Sequence, residues 1–184
     1  MTVVTRSIPS PVGHLLLVGD GQCLHGLFMT RQHYTPSFDG ALEAEDSFAE
    51  AARQLDEWFE GRRHTFDLDV RPRGSAFQMQ VWDVLRGIPF GGTMTYGEVA
   101  RRVGRPGSAR AIGSAVGRNP VGIVIPCHRV VGAGGALTGY AAGLDRKRWL
   151  LDHERRHAVG APRELFPAAT YQRDGRSSSP EPKK

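Results

Sequence analysis

Cysteine is nearly absent from this chain of 184 residues, with only Cys23 and Cys127. Two cysteines so far apart make a disulfide framework implausible and fit a reducing compartment, so a cytoplasmic location is expected. Long apolar runs are missing too. None approaches the roughly 18 residues of a membrane span. The opening MTVVTRSIPSPVGHLLLVGD offers only LLLV and no small-residue cleavage site, so neither a membrane partner nor a signal peptide is expected. Two loops, GAGG at 132–135 and GYAAG at 139–143, are rich in glycine, but neither fits GxGxxG nor carries G-K-[ST]. No nucleotide site follows, and no cofactor is expected.

What is present is ordinary soluble composition, 40% apolar and 23% charged, in a chain long enough to bury a core. The net charge of +5 hides an asymmetry. Residues 1–70 hold 5 basic against 11 acidic side chains, whereas 71–157 hold 14 against 5. A basic half suggests a polyanionic partner, and a solubilising surface accounts for the same counts.

The pattern divides accordingly. TVVTRSI (2–8) and HLLLVGDGQCLHGLFM (14–29) read as strands, the second as a hairpin turning at 19–22. Residues 30–46 read as a polar loop. Ser47-Phe-Ala-Glu50 is a capping-box pattern, and Phe48, Ala52, Leu55 and Phe59 continue it at helical spacing to Gly61. HTFDLDV (64–70) alternates like another strand, giving a small α+β domain over 1–70 with no evident chemistry. Cys23 and His25 share a strand face and could ligate a metal, but two ligands are too few, and a half-buried hairpin is expected with no metal bound. Residues 71–75 read as a linker. Helices are expected over 77–88, 96–104, 108–117 (with Ser108 as N-cap) and 144–157, and a disordered tail over 158–184, rich in Pro, Ser and charge. The second and third of these helices, joined by Arg105-Pro-Gly107, suggest a helix-turn-helix or a plain αα-hairpin. SARAIGSAVG is nearly all small residues, at the glycine cost of ~1 kcal/mol against alanine. Something approaches that backbone closely, DNA or another helix.

The stretch IVIPCHRVV (123–131) breaks its own pattern: a buried-strand sequence is interrupted by Pro126, Cys127, His128 and Arg129. A thiol with a pKa near ~8.5 is a poor nucleophile unless a base takes its proton, and a histidine backed by an acid is such a base. Neighbouring side chains on a strand face opposite ways, so contact between Cys127 and His128 needs a turn or a bridging water.

PCHRVV, preceded by RNPVGIVI and followed by GALTGY, resembles the active-site signature of the O6-alkylguanine-DNA alkyltransferase family. FQMQVWDVLRGIPFGGTMTYGEVA, GSARAIGSAVGRNP and WLLDHE match that family's pattern in order and spacing over about 76–155, with weaker similarity back to residue 1. The resemblance implies an RNase H-like α+β domain followed by a mostly helical, winged-helix-like domain (76–157). It implies transfer of an alkyl group from O6 of guanine in double-stranded DNA, less readily from O4 of thymine, onto Cys127, once per molecule. His128 would act as base through a water, Glu154 would orient it, Asn119 would brace the turn, and Tyr96 would protonate the leaving base at N3. The carbonyls of Cys127 and Val130 and the N–H of Ala141 would read the base, and Tyr140 and Val116 would line the pocket. Ser108, Ala109, Ala111 and Gly113 would lie in the minor groove, with Arg110 filling the gap left by a flipped nucleotide. The protein would be a monomer that can cluster on DNA. Ala142 stands where the family usually has glycine, which would narrow or stiffen the pocket, and Phe90 where tyrosine is commoner. Two rivals remain. A damage-binding module that does not repair would lack Cys127. A zinc peptidase could be read from His153-Glu-Arg-Arg-His157, an HExxH without an evident third ligand.

Overall fold

The computed structural model describes residues 2–158, so the tail expectation lies, from residue 159 on, outside the described residues. Strands β1 (Val4–Ile8), β2 (Leu15–Gly19) and β3 (Leu24–Met29) form an antiparallel meander, extended on the β1 side by a short parallel strand, β4 (Leu42–Glu43). The β2–β3 turn falls where the sequence puts it, and Asp20 Oδ1 accepts the N–H groups of Gln22 and Cys23 there. Helix α1 (Ala49–Phe59) lies C-terminal to the sheet, burying Leu55 and Trp58 completely.

Two expectations fail in this half. Ser47 does not cap α1. Phe48 takes the N-cap position in left-handed geometry (φ 55°), because its ring is buried and its N–H donates to Gly21 O. Tertiary burial overrides the local capping signal. Residues 64–70 form no strand beyond one bridge, Leu24 to Val70. The Gln54 side chain takes both the N–H and the carbonyl of Asp67, so these backbone groups are satisfied without a ladder.

The C-terminal half is built from α2 (Ala76–Arg86), α3 (Tyr96–Arg102), α4 (Ala109–Gly117) and α5 (Leu144–His157). Capping boxes that begin α2 (Ser75 with Gln78) and α3 (Thr95 with Glu98) were legible as S/T-x-x-E/Q but lay just outside the expected helix starts. Ser108 occupies the α4 N-cap, yet its side chain makes no capping hydrogen bond. Trp82 of α2 donates Nε1–H to Ala115 O (2.9 Å), fixing α4 over the buried core. Together α3 and α4 make the two-helix unit expected from the basic stretch. A two-stranded parallel pair, β5 (Met94–Thr95) and β6 (Val130–Val131), closes the C-terminal half against the cysteine segment.

One apolar core runs through both halves, from Leu15, Leu17 and Leu27 to Val81, Ile112 and Leu150. Leu27 exchanges backbone hydrogen bonds with Pro120 and Gly122, so the N-terminal sheet grips the segment that leads to Cys127. No helix among the described residues is long and apolar enough to cross a membrane.

Candidate active site

The interrupted stretch is not a strand. Cys127–Arg129 is a 3₁₀ turn, and only Val130–Val131 pairs as strand. Pro126 supplies no N–H, Ile123 is left-handed (φ 67°), and the segment satisfies itself by local turns: Ile125 N–H to Val121 O and Cys127 N–H to Ile125 O. Asn119 holds the bend, donating Nδ2–H to Ile125 O (2.8 Å) and accepting Val121 N–H (3.0 Å).

The turn splays its side chains into different surroundings. Cys127 is a free thiol, 8% exposed, at the wall of an open cleft of about 650 Å³. Burial pushes the thiol above its ordinary pKa, opposed by the Asn119 amide and the Lys147 charge. His128 is fully buried on the other side. Its Nε2 meets Glu154 Oε1 at 2.9 Å, and its Nδ1 has no hydrogen-bond partner among the described residues. Burial lowers its pKa despite Glu154, so the imidazole is neutral at neutral pH. Burial alone would raise the Glu154 carboxyl, but the hydrogen bond from neutral His128 and the hydrogen bonds and charge of Arg129 bring it down to about 2. Arg129 clamps Glu154 from Nε and Nη2 (2.7–3.0 Å) and gives Nη1–H to Ile88 O. Glu154 Oε2 also accepts Gly91 N–H. A buried carboxylate with this many donors is held both ionised and fixed.

The cleft has three walls. Helix α4 contributes Ala109, Arg110, Gly113, Val116 and Gly117. The loop after β6 contributes Thr138, Gly139, Tyr140, Ala141 and Ala142. Tyr96 stands between them, its hydroxyl donating to Thr138 O and Gly139 O at 3.3 Å. Burial raises the pKa of Tyr96, and that of Tyr140 far more, so both phenols stay protonated. The third wall, Gln32, His33 and Tyr34, comes from the loop read as merely polar.

Thus the structure gathers Cys127, Asn119, Tyr96, Val116, Tyr140, Ala141, Ala109, Arg110 and Gly113 at one cleft, with His128 and Glu154 directly behind Cys127. Ser108, Ala111 and Val130 do not line it; Val130 is wholly buried in β6. Sequence reasoning missed Lys147. This lysine is fully buried, and its Nζ donates to Thr138 O (2.7 Å) and Gly139 O (3.2 Å), the same carbonyls Tyr96 uses. Desolvation lowers its pKa to about 8. The signal that could have marked it is its helical spacing with Leu150, Leu151 and Glu154 on the buried face of α5.

A Cβ at Gly113 would meet only Tyr96 at an ordinary 3.8 Å, and one at Gly117 would meet nothing within 4 Å. Packing inside the protein therefore demands glycine at neither position. Ala109, Arg110, Ala111 and Ser114 are exposed, and Arg110 is the long side chain among them.

The HExxH reading fails on geometry. Glu154 is spent on His128 and Arg129, His153 Nε2 is hydrogen-bonded to Trp58 O (2.8 Å), and His157 Nδ1 to His153 O. The pair Cys23 and His25 gains Asp20 as a third neighbour, all ligand atoms lying within 4.8 Å. Asp20 Oδ1, however, already caps the turn amides.

A thiol at a cleft wall, backed by a neutral imidazole and a pinned carboxylate, has the parts that nucleophilic group transfer requires. The comparisons with known proteins agree with this class. Family models match almost the whole described chain: 6-O-methylguanine DNA methyltransferase, ribonuclease-like domain, over residues 3–72, and the DNA binding domain of the same family over 76–156. The chain belongs to the 6-O-methylguanine DNA methyltransferase family. A methylated-DNA–protein-cysteine methyltransferase of Mycolicibacterium paratuberculosis is 50% identical over 153 residues, 83% of this chain and 93% of the relative. One of the same name from Methanosarcina acetivorans is 47% identical, covering 79% and 94%. The crystal structure of Mycobacterium tuberculosis OGT in complex with DNA superposes with a TM-score of 0.81 at 44% identity, covering 84% of this chain and 94% of the other.

Proposed function

We propose that this protein repairs alkylated DNA by moving the alkyl group from O6 of guanine to the Cys127 sulfur, once per molecule. The observation that carries this reading is the line Cys127, His128, Glu154 at an open cleft beside a small-residue basic helix. Sγ attacks the alkyl carbon, the C–O6 bond breaks, and its electron pair stays with the base. The thiol proton passes through a water to His128 Nδ1, the ring atom the protein leaves free. Glu154 stabilises the imidazolium that forms. The Tyr96 hydroxyl, on the cleft wall between α4 and the loop after β6, turns from its carbonyls to give a proton to the departing guanine at N3. A thioether is not hydrolysed, so the acceptor is consumed.

The target carbon is out of reach inside a duplex, so the nucleotide must rotate out. Exposed Arg110 takes its place in the stack, while the small residues of α4 admit the minor-groove backbone. Arg101, Arg102, Arg105 and Arg118 surround α4 and supply the phosphate attraction. The protein acts as a monomer that can cluster on DNA, in the cytoplasm.

The test is incubation with duplex DNA carrying methyl-labelled O6-methylguanine, followed by peptide mapping. Label on the Cys127 peptide is expected. Tight binding of the lesion without transfer would instead identify a damage-binding module.

A further inference from the structure

The N-terminal half carries no reacting group, yet it supplies the third wall of the cleft. The loop joining β3 to β4 passes through left-handed backbone at Arg31 (φ 60°) and Tyr34 (φ 64°), a geometry that residues with side chains adopt only at a cost. That cost is met by specific contacts. Met29 N–H donates to Gln32 Oε1 (3.1 Å) and the Thr35 hydroxyl to Gln32 O (3.1 Å). His33 N–H donates to Ala141 O (2.9 Å), in the loop the base must enter. Arg146 of α5 ties both loops together, giving Nη1–H to Thr30 O (2.6 Å) and Ala142 O (3.3 Å), and Nε–H to Val12 O (2.9 Å).

The product of this bracing is an aromatic ring at the cleft. Tyr34 is 66% exposed, the largest exposure of any bulky apolar or aromatic side chain among the described residues. Its ring lies 5.3 Å from the Arg118 guanidinium, the residue between Gly117, which lines the cleft, and Asn119, which braces Cys127. An exposed ring on left-handed backbone adds little to folding, so its placement is explained by what enters the cleft. Ala142, buried and fixed by Arg146, stiffens the facing wall.

We infer that Tyr34, carried by the β3–β4 loop and held by Arg118, is a specificity-determining residue that limits the size of the O6 substituent able to reach Cys127. The inference rests on the alkylguanine reading. Tyr34 lines the same cleft as Cys127, so a bulky aryl substituent is the one expected to meet the ring.

The experiment measures transfer rates from the free bases O6-methylguanine and O6-benzylguanine to wild type, Tyr34→Ala and Tyr34→Phe. Tyr34→Ala is expected to raise the benzyl-to-methyl rate ratio roughly tenfold, the scale on which pocket shape discriminates small apolar groups. Tyr34→Phe, which keeps the ring, should leave the ratio near the wild-type value. Because both rates come from one preparation, any misfolded fraction cancels. A ratio unchanged or lowered in Tyr34→Ala, or raised equally in Tyr34→Phe, overturns the inference while methyl transfer by wild type stands. Failure of wild type to methylate Cys127 from duplex DNA would overturn the alkylguanine reading and this inference with it.

Discussion

Both halves of the molecule carry charge at the surface, but only the C-terminal half also buries it. In the N-terminal half ion pairs sit at the surface, as between Arg53 and Glu50 or Arg71 and Asp69, and the buried polar side chains, Thr5 and Gln54, are uncharged. In the C-terminal half His128, Arg129, Lys147, His153 and Glu154 are all 6% exposed or less. Exposed pairs contribute little to stability, whereas burying ions costs several kcal/mol each unless they are fully paired. A chain that buries charged side chains in only one half concentrates that cost there, around the proposed site. In the proposed reaction the N-terminal half is scaffold plus one cleft wall, and the C-terminal half is the reactor.

The sharpest break of this comparison removes the nucleophile. Cys127→Ser should abolish alkyl transfer while leaving circular dichroism and DNA binding intact; residual transfer would place the acceptor elsewhere. Next, Glu154→Gln strands Arg129 and His128 without their anion. Urea unfolding should show a loss of about 3–5 kcal/mol, the cost of breaking a buried pair, together with slower transfer. A loss near zero would mean the buried cluster is dispensable. Arg110→Ala is milder: repair in duplex DNA should fall at least tenfold more than transfer from a free base analogue, and equal losses would refute the stacking role. Titration gives a still smaller effect. Burial holds His128 neutral below its ordinary pKa and the Cys127 thiol protonated above its own, so the neutral pair persists between. The transfer rate from a free base should therefore stay nearly flat as pH falls from 7.5 to 6.5, and a titration centred near ~6.5 would contradict the lowered histidine. At the bottom of the scale, Arg53→Ala, which removes an exposed partner of Glu50, should leave melting temperature and transfer rate unchanged.

How much of this was legible beforehand depended on whether the signal was local. The hairpin at 19–22, helix α5 and the small-residue α4 were readable because turn residues and apolar spacing act within a few positions. The break in the cysteine segment was legible at Pro126, but the turn that replaces the strand was not, because apolarity reports burial and not backbone geometry. Asn119, six residues before Ile125, satisfies the carbonyl that a ladder would otherwise have taken. The Ser47 cap failed for the complementary reason, since the burial of Phe48 is decided by the sheet. Lys147 stands at helical spacing with the buried Leu150, Leu151 and Glu154, but its charge masked that position, and Tyr34 lies in a loop without periodicity. Each is placed by contacts more than eight residues distant or from the other half of the chain, at Thr138 and at Arg118 respectively. Ala142, by contrast, stood out at once as a departure from the family pattern, and its buried position beside Arg146 gives that departure a physical setting.

The central claim is that Cys127 is a consumed acceptor, and a count tests it most directly. With methyl-labelled duplex DNA in large excess, label bound to protein should plateau at one methyl per chain, all of it on Cys127, however long the incubation. Continued release of demethylated DNA beyond that plateau, or a plateau independent of Cys127, would contradict the account.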